Sequence, residues 1–443
     1  MTQIFKLTSD WRKLARKFID EMPMGIQRIL LKIIREIKYY IFIVKWRHRS
    51  NKNIPNPEKI FWISPDRIIY HTNYVKNDDK NIIFSDRVFP SNKMRGKVID
   101  GDWDITDYKF TDLPIYQAFK QRINEGLAWQ DTDFYKINMS YIESGQMRWS
   151  CSTKDDFDKR CSTFDALIES IKTNGYQLNR TRTHSDLYFN VDFDEIDVNI
   201  GRNGEFLFQN GRHRLSIAKI LGIKKIPVMV FVRHKEWQRY REFLISYAQE
   251  QRGKVYQPLV HPDLADIPFH HNCSDRFEAI VPHLGNKRGI MMDIGANTGF
   301  FCHKFEDLGY ECYAIEYSPE IAQIAEKIKI AENKTFKIIN KSVFELELNK
   351  NMKFDVVLAL NVFHHFIKRK KTFFQFKDFL NNLETDEMYF EPHLYEEEQM
   401  KDAYVNYTET EFVNFILQNT SLNASELIYT ARDGRHVYKL FLK

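Results

Sequence analysis

The chain has 443 residues, of which 43% are apolar, 14% aromatic and 28% charged; that length implies two or three domains, and the composition excludes a disordered or fibrous protein. Net charge is +5 overall, yet residues 1–50 carry 12 basic against 4 acidic side chains, net +8, which leaves −3 for the remainder. Basic charge confined to one end argues against a general nucleic-acid-binding surface, so no sequence-specific nucleic-acid partner is expected.

The five cysteines, Cys151, Cys161, Cys273, Cys302 and Cys312, show no C-x-x-C spacing. Neither a zinc site nor a disulfide framework is indicated, and no metal site is expected. The apolar run Tyr39–Val44 falls far short of the ~18 residues that span a bilayer, and the start lacks the small-residue cleavage site of a secretory signal. The expected location is the cytoplasm. In residues 26–49, Ile26, Leu30, Ile33, Ile37 and Tyr40 recur at helical spacing, with Arg28, Lys32 and Arg35 on another face. Such a basic amphipathic helix lies in a membrane interface, here the inner face, or packs its apolar side on protein; the pattern fits both.

A polar linker, "SNKNIPNPEK", follows at 50–59. Residues 60–240 read as an α+β domain. Within it, "IDGDWD" at 99–104 and "WQDTDFY" at 129–135 fit either a sugar-binding surface or the core and turns of an irregular segment. From Phe164, "FDALIESIKTNGY" predicts a short amphipathic helix stopped at Asn174-Gly175. "DVNIG" and "EFLF" predict a hairpin around Arg202-Asn203-Gly204. The turn "NGRHR", a helix over 213–221 and the strand "KIPVMVFV" come next. Residues 241–261 read as a polar linker.

After a loop-like join, "HPDLADIPFHHN", residues 288–443 alternate strand and helix: "RGIMMDIG", "GFFCHKFEDLG", "ECYAIEY", "PEIAQIAEKIKI", "FKIIN", "FDVVLAL" and "MYFEP", closing on "SELIYT" and "HVYKLFLK" about a turn at Asp433-Gly434. Buried parallel strands separated by helices predict an α/β, doubly wound, Rossmann-like sheet with a terminal hairpin. Between its first strand and helix stands Asp293-Ile294-Gly295-Ala296-Asn297-Thr298-Gly299. Glycine lets backbone approach a ligand there, and the helix N-terminus offers free N–H groups. Glu316 ends the next strand, one βαβ unit further on, where a carboxylate accepts both hydroxyls of a ribose.

These residues resemble the class I S-adenosylmethionine-dependent methyltransferases over about residues 262–443. The resemblance implies that Asp293 and the loop Gly295, Ala296, Asn297, Thr298 and Gly299 hold the methionyl part of S-adenosylmethionine, with Glu316 on the ribose and Asn361 facing donor and acceptor. "INKSVFEL" lacks the acidic residue that the family often sets near adenine. NAD would prefer a full G-x-G-x-x-G, which is absent. Amino-methyltransferases acting on nucleic acid carry Asn/Asp-Pro-Pro-aromatic after the fourth strand, and "LNVFHH" is not that. His364, His365, Glu391 and His393 fall at strand C-terminal ends and are the catalytic candidates, a neutral histidine being able to take a hydroxyl proton.

In "FQNGRHRLSIAKILG", Gly211 permits a tight turn while Arg212, His213 and Arg214 crowd a helix N-terminus. That placement opposes the macrodipole by about 0.3–1 kcal/mol per exposed group. An anion on the turn explains it, and so does pairing with Asp192, Asp194 or Glu195. Residues 160–235 resemble the ParB/sulfiredoxin-like domain, which implies that Gly211, Arg212, His213 and Arg214 contact the phosphates of ATP or CTP, with Mg2+ where the nucleotide carries it. The turn lacks the cysteine of the family's sulfinic-acid reductases, and no helix-turn-helix follows as in its DNA-partition members. The family's small-molecule kinases remain, with Asp197 or Glu195 as base. Together the two domains predict a bifunctional enzyme that phosphorylates and methylates a glycan or lipid-linked saccharide, capping the chain. The alternative is a methyltransferase regulated by a nucleotide-sensing or DNA-associated ParB-like binding module.

Overall fold

The structure, a computed structural model, describes residues 26, 44, 53–72, 94–178, 195–285, 288–346 and 353–443. The basic segment 26–49 thus lies outside the described residues apart from Ile26 and Val44, as do Asp192 and Asp194. Two compact units emerge: one holds the chain up to Asn199 together with Phe206–His234, the other Ile200–Glu205 and Lys235–Lys443.

The first unit is built on strands β1 (Ile60–Ile63), β2 (Lys97–Ile99), β3 (Ile196–Ile200), β4 (Phe206–Asn210) and β5 (Ile226–His234), in the order β1-β5-β3-β4 with β2 also pairing β5. All nine residues of β5 are buried, the apolar run Ile226–Val232 as expected of a central strand and the polar pair Arg233-His234 with it. It runs antiparallel to β1 and parallel to β2. Helices α1 (Pro114–Asn124), α2 (Asp133–Glu143), α3 (Lys154–Asn174) and α4 (Arg212–Ile220) complete it.

Helix α3 starts ten residues before the Phe164 expected from its apolar stripe. A reciprocal capping box, Thr153 with Asp156, sets that start. The stretch 129–135 supplies core and turn: Trp129 is buried and its indole N–H donates to Asp165 at 3.0 Å, while Thr132 caps α2.

The long segment of the second unit opens with helix α5 (Lys235–Glu250), where the sequence suggested a connection running into a linker. Trp237, Arg241, Leu244 and Ala248 all turn inward from it, an i, i+4, i+7 stripe that the many charged neighbours conceal in the sequence. After α6 (Cys273–Ile280) come β6 (Ile290–Ile294), α7 (Phe300–Asp307), β7 (Glu311–Ile315), α8 (Pro319–Ala331), β8 (Lys337–Ile339), β9 (Lys353–Leu360), the short α9 (His364–Ile367), α10 (Lys370–Asn382), β10 (Glu384–Glu391), α11 (Glu409–Gln418), β11 (Ala424–Thr430) and β12 (His436–Phe441).

The strand order is β11-β12-β10-β9-β6-β7-β8. Strands β6 to β10 are parallel, and β12 inserts antiparallel between β10 and β11. Both faces are covered: Phe363, Phe376, Phe390 and Phe412 pack on one, Phe300, Phe305, Tyr310 and Cys302 on the other. The order reverses direction between β6 and β9, which creates a crevice at the strand C-terminal ends, the usual ligand position in doubly wound sheets.

Candidate methyl-donor and acceptor site

Asp293 and Ile294 close β6, and the chain then turns sharply. Gly295 has φ +71°, and a Cβ there would come within 2.8 Å of the Val362 side chain. The Gly295 and Ala296 amides donate to the Ile315 carbonyl at 2.9 and 3.0 Å, tying the loop to the end of β7. Glu316 accepts from the Asn297 amide at 2.9 Å and the Ser318 amide at 2.8 Å. Asn340 in turn donates to the Glu316 carbonyl at 2.8 Å. The carboxylate is thereby fixed beside the loop with lone pairs to spare for a diol.

Gln257 locks the loop from the other side. Its amide donates to the Ala296 carbonyl at 3.0 Å and accepts the Phe300 N–H at 2.9 Å, all of it buried. Replacing Gln257 by Ala would strand both backbone groups, each costing about 1–3 kcal/mol when left unsatisfied. The expected result is a lower melting temperature together with weaker donor binding, checked by scanning calorimetry and titration on one preparation.

Asp293 is 3% exposed, and its Oδ2 has no hydrogen-bond partner among the described residues. Burial, helped by the negative charge of Glu316, pushes its carboxyl up to about 7. A buried, unsatisfied carboxylate at the head of a glycine loop fits a ligand that brings a cation and donors, as an amino acid's ammonium does. Asn361, in the left-handed region at φ +54°, presents a second orphan: its amide donates to the Tyr256 hydroxyl at 3.2 Å, while Oδ1 is buried without a partner among the described residues.

Asp293, Gly295, Ala296, Asn361 and Glu391 line one cleft. Thr298 is buried in the loop, and Gly299 caps α7. Glu391 is not a free base: it accepts from Arg276 Nε at 2.9 Å. His364, His365 and His393 do not line this cleft. They gather on one another, with ring centroids 4.0 Å apart for His364–His365 and 5.8 Å for His364–His393. His393 also bonds Asn406 at 2.8 Å. Burial, with His365 and Lys368 adding to it, drives His364 down to about 3. The cleft wall comes instead from Tyr256, Gln257, His271 and Arg276, all of them ahead of the first strand of the sheet. No motif marks them, because their role depends on tertiary placement.

In the first unit, Gly211 caps α4 at φ +93°, where a Cβ would meet the Ile196 backbone at 3.1 Å. Arg212 lies over the Trp149 ring, 5.6 Å from its centroid. His213 sits among Phe119, Trp149 and Phe164, and its buried Nε2 has no hydrogen-bond partner among the described residues. Burial and the neighbouring Arg212 push it down to about 3, so it enters this site as a neutral aromatic ring. Arg214 reaches Glu195 at 3.7 Å, one of the acidic pairings the sequence allowed. Both oxygens of Asp197 accept from Arg95 at 2.8 Å. Among the described residues no group of three or more His, Cys, Asp or Glu is placed to hold a metal, and no helix is long and apolar enough to cross a membrane.

Residues 292–382 match a family model described as a methyltransferase domain. No curated protein matches the chain. Among solved structures, the bifunctional kinase-methyltransferase WbdD aligns at 16% identity and TM-score 0.35, covering 45% of this chain and 46% of that one. The PH0226 protein from Pyrococcus horikoshii OT3 aligns at 14% and 0.31, covering 39% and 92%. The magnesium protoporphyrin IX methyltransferase ChlM from Synechocystis PCC 6803, with bound SAM, aligns at 14% and 0.30, covering 38% and 77%. The chain thus spans under half the length of WbdD. Sheet order, glycine loop and family match agree on a methyltransferase domain within the second unit.

Proposed function

We propose that the second unit transfers a methyl group to an oxygen acceptor. The observation that carries this reading is Asp293, a buried carboxylate with an open oxygen at the turn of the sheet order. Asp293 would take the methionyl ammonium of S-adenosylmethionine and Glu316 the ribose hydroxyls, with the Gly295–Gly299 backbone between them. The cofactor supplies an electrophilic methyl on sulfonium, and the chain's own task is to hold the acceptor oxygen in line and keep water out. The polar wall of Asn361, Tyr256 and His271 fits a hydroxyl acceptor. Calorimetric titration of S-adenosylmethionine and S-adenosylhomocysteine into the full chain tests the reading, and no binding of either would end it.

For the first unit the proposal is a ParB/sulfiredoxin-like nucleotide site on the Gly211 turn, coupled to methylation of a glycan or lipid-linked acceptor at the inner membrane face through residues 26–49. In its kinase form, Asp197 would have to leave Arg95 before taking a proton. That bidentate pair favours the second form, in which the unit binds ATP or CTP and regulates the methyltransferase. Titration of ATP, ADP and CTP into wild type and Arg214→Ala separates these from a structural role. Binding that weakens about tenfold or more in the variant is expected, in line with the loss of one charge-assisted contact. Absence of binding by all three nucleotides would reduce the turn to an ion-paired scaffold.

A further inference from the structure

Beside the donor cleft, and within the second unit, opens a cavity of about 270 Å³. His271, Asn272 and Arg276 belong to the walls of both spaces. We infer that this outer cavity receives the acceptor, that the acceptor is a neutral polyhydroxylated molecule of the saccharide class, not a phosphate, and that its reacting hydroxyl sits on a ring nitrogen of His271. The inference rests on the methyl-transfer reading and narrows it, since capping by methylation of a phosphate would need a different wall.

Charge decides between the two acceptor classes. Arg276 is spent on carboxylates: Nε meets Glu391 at 2.9 Å, Nη1 meets Asp275 at 2.9 Å and Nη2 meets Asp433 at 3.2 Å. Among the described residues Arg432 brings the one other permanent cation to the lining, and it is exposed. In this lining two guanidinium groups stand against two carboxylates, Asp275 and Asp433, and Glu391 holds Arg276 from the donor-cleft side, which leaves no positive excess for a phosphate. For a sugar the same wall is favourable. Carboxylates accept hydroxyls, guanidinium groups donate to ring and hydroxyl oxygens, and the flat faces of Tyr429 and His271 cover C–H edges. The size suits one small ring, lying just below the usual range of ligand pockets.

His271 occupies the shared wall with its ring 4.6 Å from that of Tyr256, whose hydroxyl is held by Asn361. Neither of its ring nitrogens is hydrogen-bonded among the described residues, which leaves a ring-nitrogen lone pair available to an acceptor hydroxyl. Burial, with Arg435 and Arg276 adding to it, lowers its pKa and keeps the ring neutral. In the transfer, the acceptor O–H bond breaks as its oxygen bonds the methyl carbon. The C–S electron pair stays on the donor sulfur, and the proton passes to His271 and then to solvent.

The test uses the full chain saturated with S-adenosylhomocysteine, a set of methyl hexopyranosides and inorganic phosphate as probes, and saturation-transfer and phosphorus NMR. A glycoside is expected to bind and phosphate not to. Binding should weaken about tenfold or more in Tyr429→Ala and Arg432→Ala, as for loss of a central contact. Bound glycoside should protect His271 from carbethoxylation mapped by mass spectrometry. With labelled donor, glycoside at saturating concentration should be methylated on the order of 100-fold or more slowly by His271→Ala, which should still bind S-adenosylhomocysteine. Phosphate in the cavity, glycoside binding indifferent to Tyr429 and Arg432, an unprotected His271, or a glycoside bound but never methylated by wild type would each overturn the inference. Failure to bind any glycoside would overturn it too, leaving methyl transfer intact. Failure to bind S-adenosylhomocysteine would instead strike the reading beneath it.

Discussion

Asp293→Asn is expected to make the donor-free protein more stable and the donor complex weaker. The native carboxyl is pushed up to about 7 from an ordinary 3.8. A carboxyl with a raised folded-state value binds its proton more tightly when folded. Its contribution to stability is therefore fully present below about pH 4 and is lost as pH rises to about 7. Above that, the buried charge costs up to about 4 kcal/mol, which the neutral amide escapes in large part. Melting of the donor-free variant at about pH 8 should therefore occur several degrees above wild type, and the gap should close toward about pH 4. Donor affinity moves the other way. Loss of one charge-assisted contact, about 1.5–3 kcal/mol, weakens binding roughly 10- to 100-fold. Wild-type affinity should itself fall about tenfold per pH unit below about 7, because the carboxyl must first release its proton, whereas the variant should be flat. A variant that melts lower at pH 8, or a wild-type affinity indifferent to pH, would mean that Asp293 does not face the donor.

Asp293, the glycine loop and Glu316 were legible in the sequence because their signals are local. A strand, a glycine turn, a helix and an acid one βαβ unit later are written within 24 residues, Asp293 to Glu316. The hairpin of β11 and β12 was equally plain from its strands and the Asp433-Gly434 turn. The histidines were less so. Chain position set His364, His365 and His393 at strand ends, but position says nothing of direction, and these rings turn to one another and to Asn406. Gln257, His271 and Arg276 escaped notice for the converse reason. They lie 36, 22 and 17 residues ahead of Asp293, in loop and a short helix, and reach the cleft only through folding. Helix α5 had a local signal, but one blurred by charge: Arg241, an inward position, reads as polar because its guanidinium is met by Asp266 and by the Asp263 carbonyl. In the first unit, "NGRHR" announced a tight turn with crowded cations; its chemistry depends on which anions meet it, and Glu195 is one.

Arg276→Met should be the most destabilising single change at the site. The guanidinium lies 8% exposed on α6 and Glu391 is 4% exposed, so removing the cation strands a buried carboxylate. Breaking such a pair costs about 3–5 kcal/mol, more than the pair itself contributes over an apolar replacement. Asp433 is partly exposed and can regain water, so Glu391 bears most of the loss. Its carboxyl is already raised by burial against the opposing pull of Arg276, and without Arg276 it rises further. The sign of the pH effect follows. A protonated Glu391 costs little, so the stability deficit of Arg276→Met is small in acid and widens as pH rises through the folded-state value of Glu391. The double variant Arg276→Met with Glu391→Leu should recover most of the lost stability at neutral pH, and a double-mutant cycle by urea unfolding should return a coupling of several kcal/mol. If Arg276→Met alone unfolds at the wild-type urea midpoint, the pair is solvated in solution and cannot form the wall between donor cleft and outer cavity. If the double variant is as unstable as the single one, packing of the Arg276 stem, not its charge, is what holds α6 against the sheet.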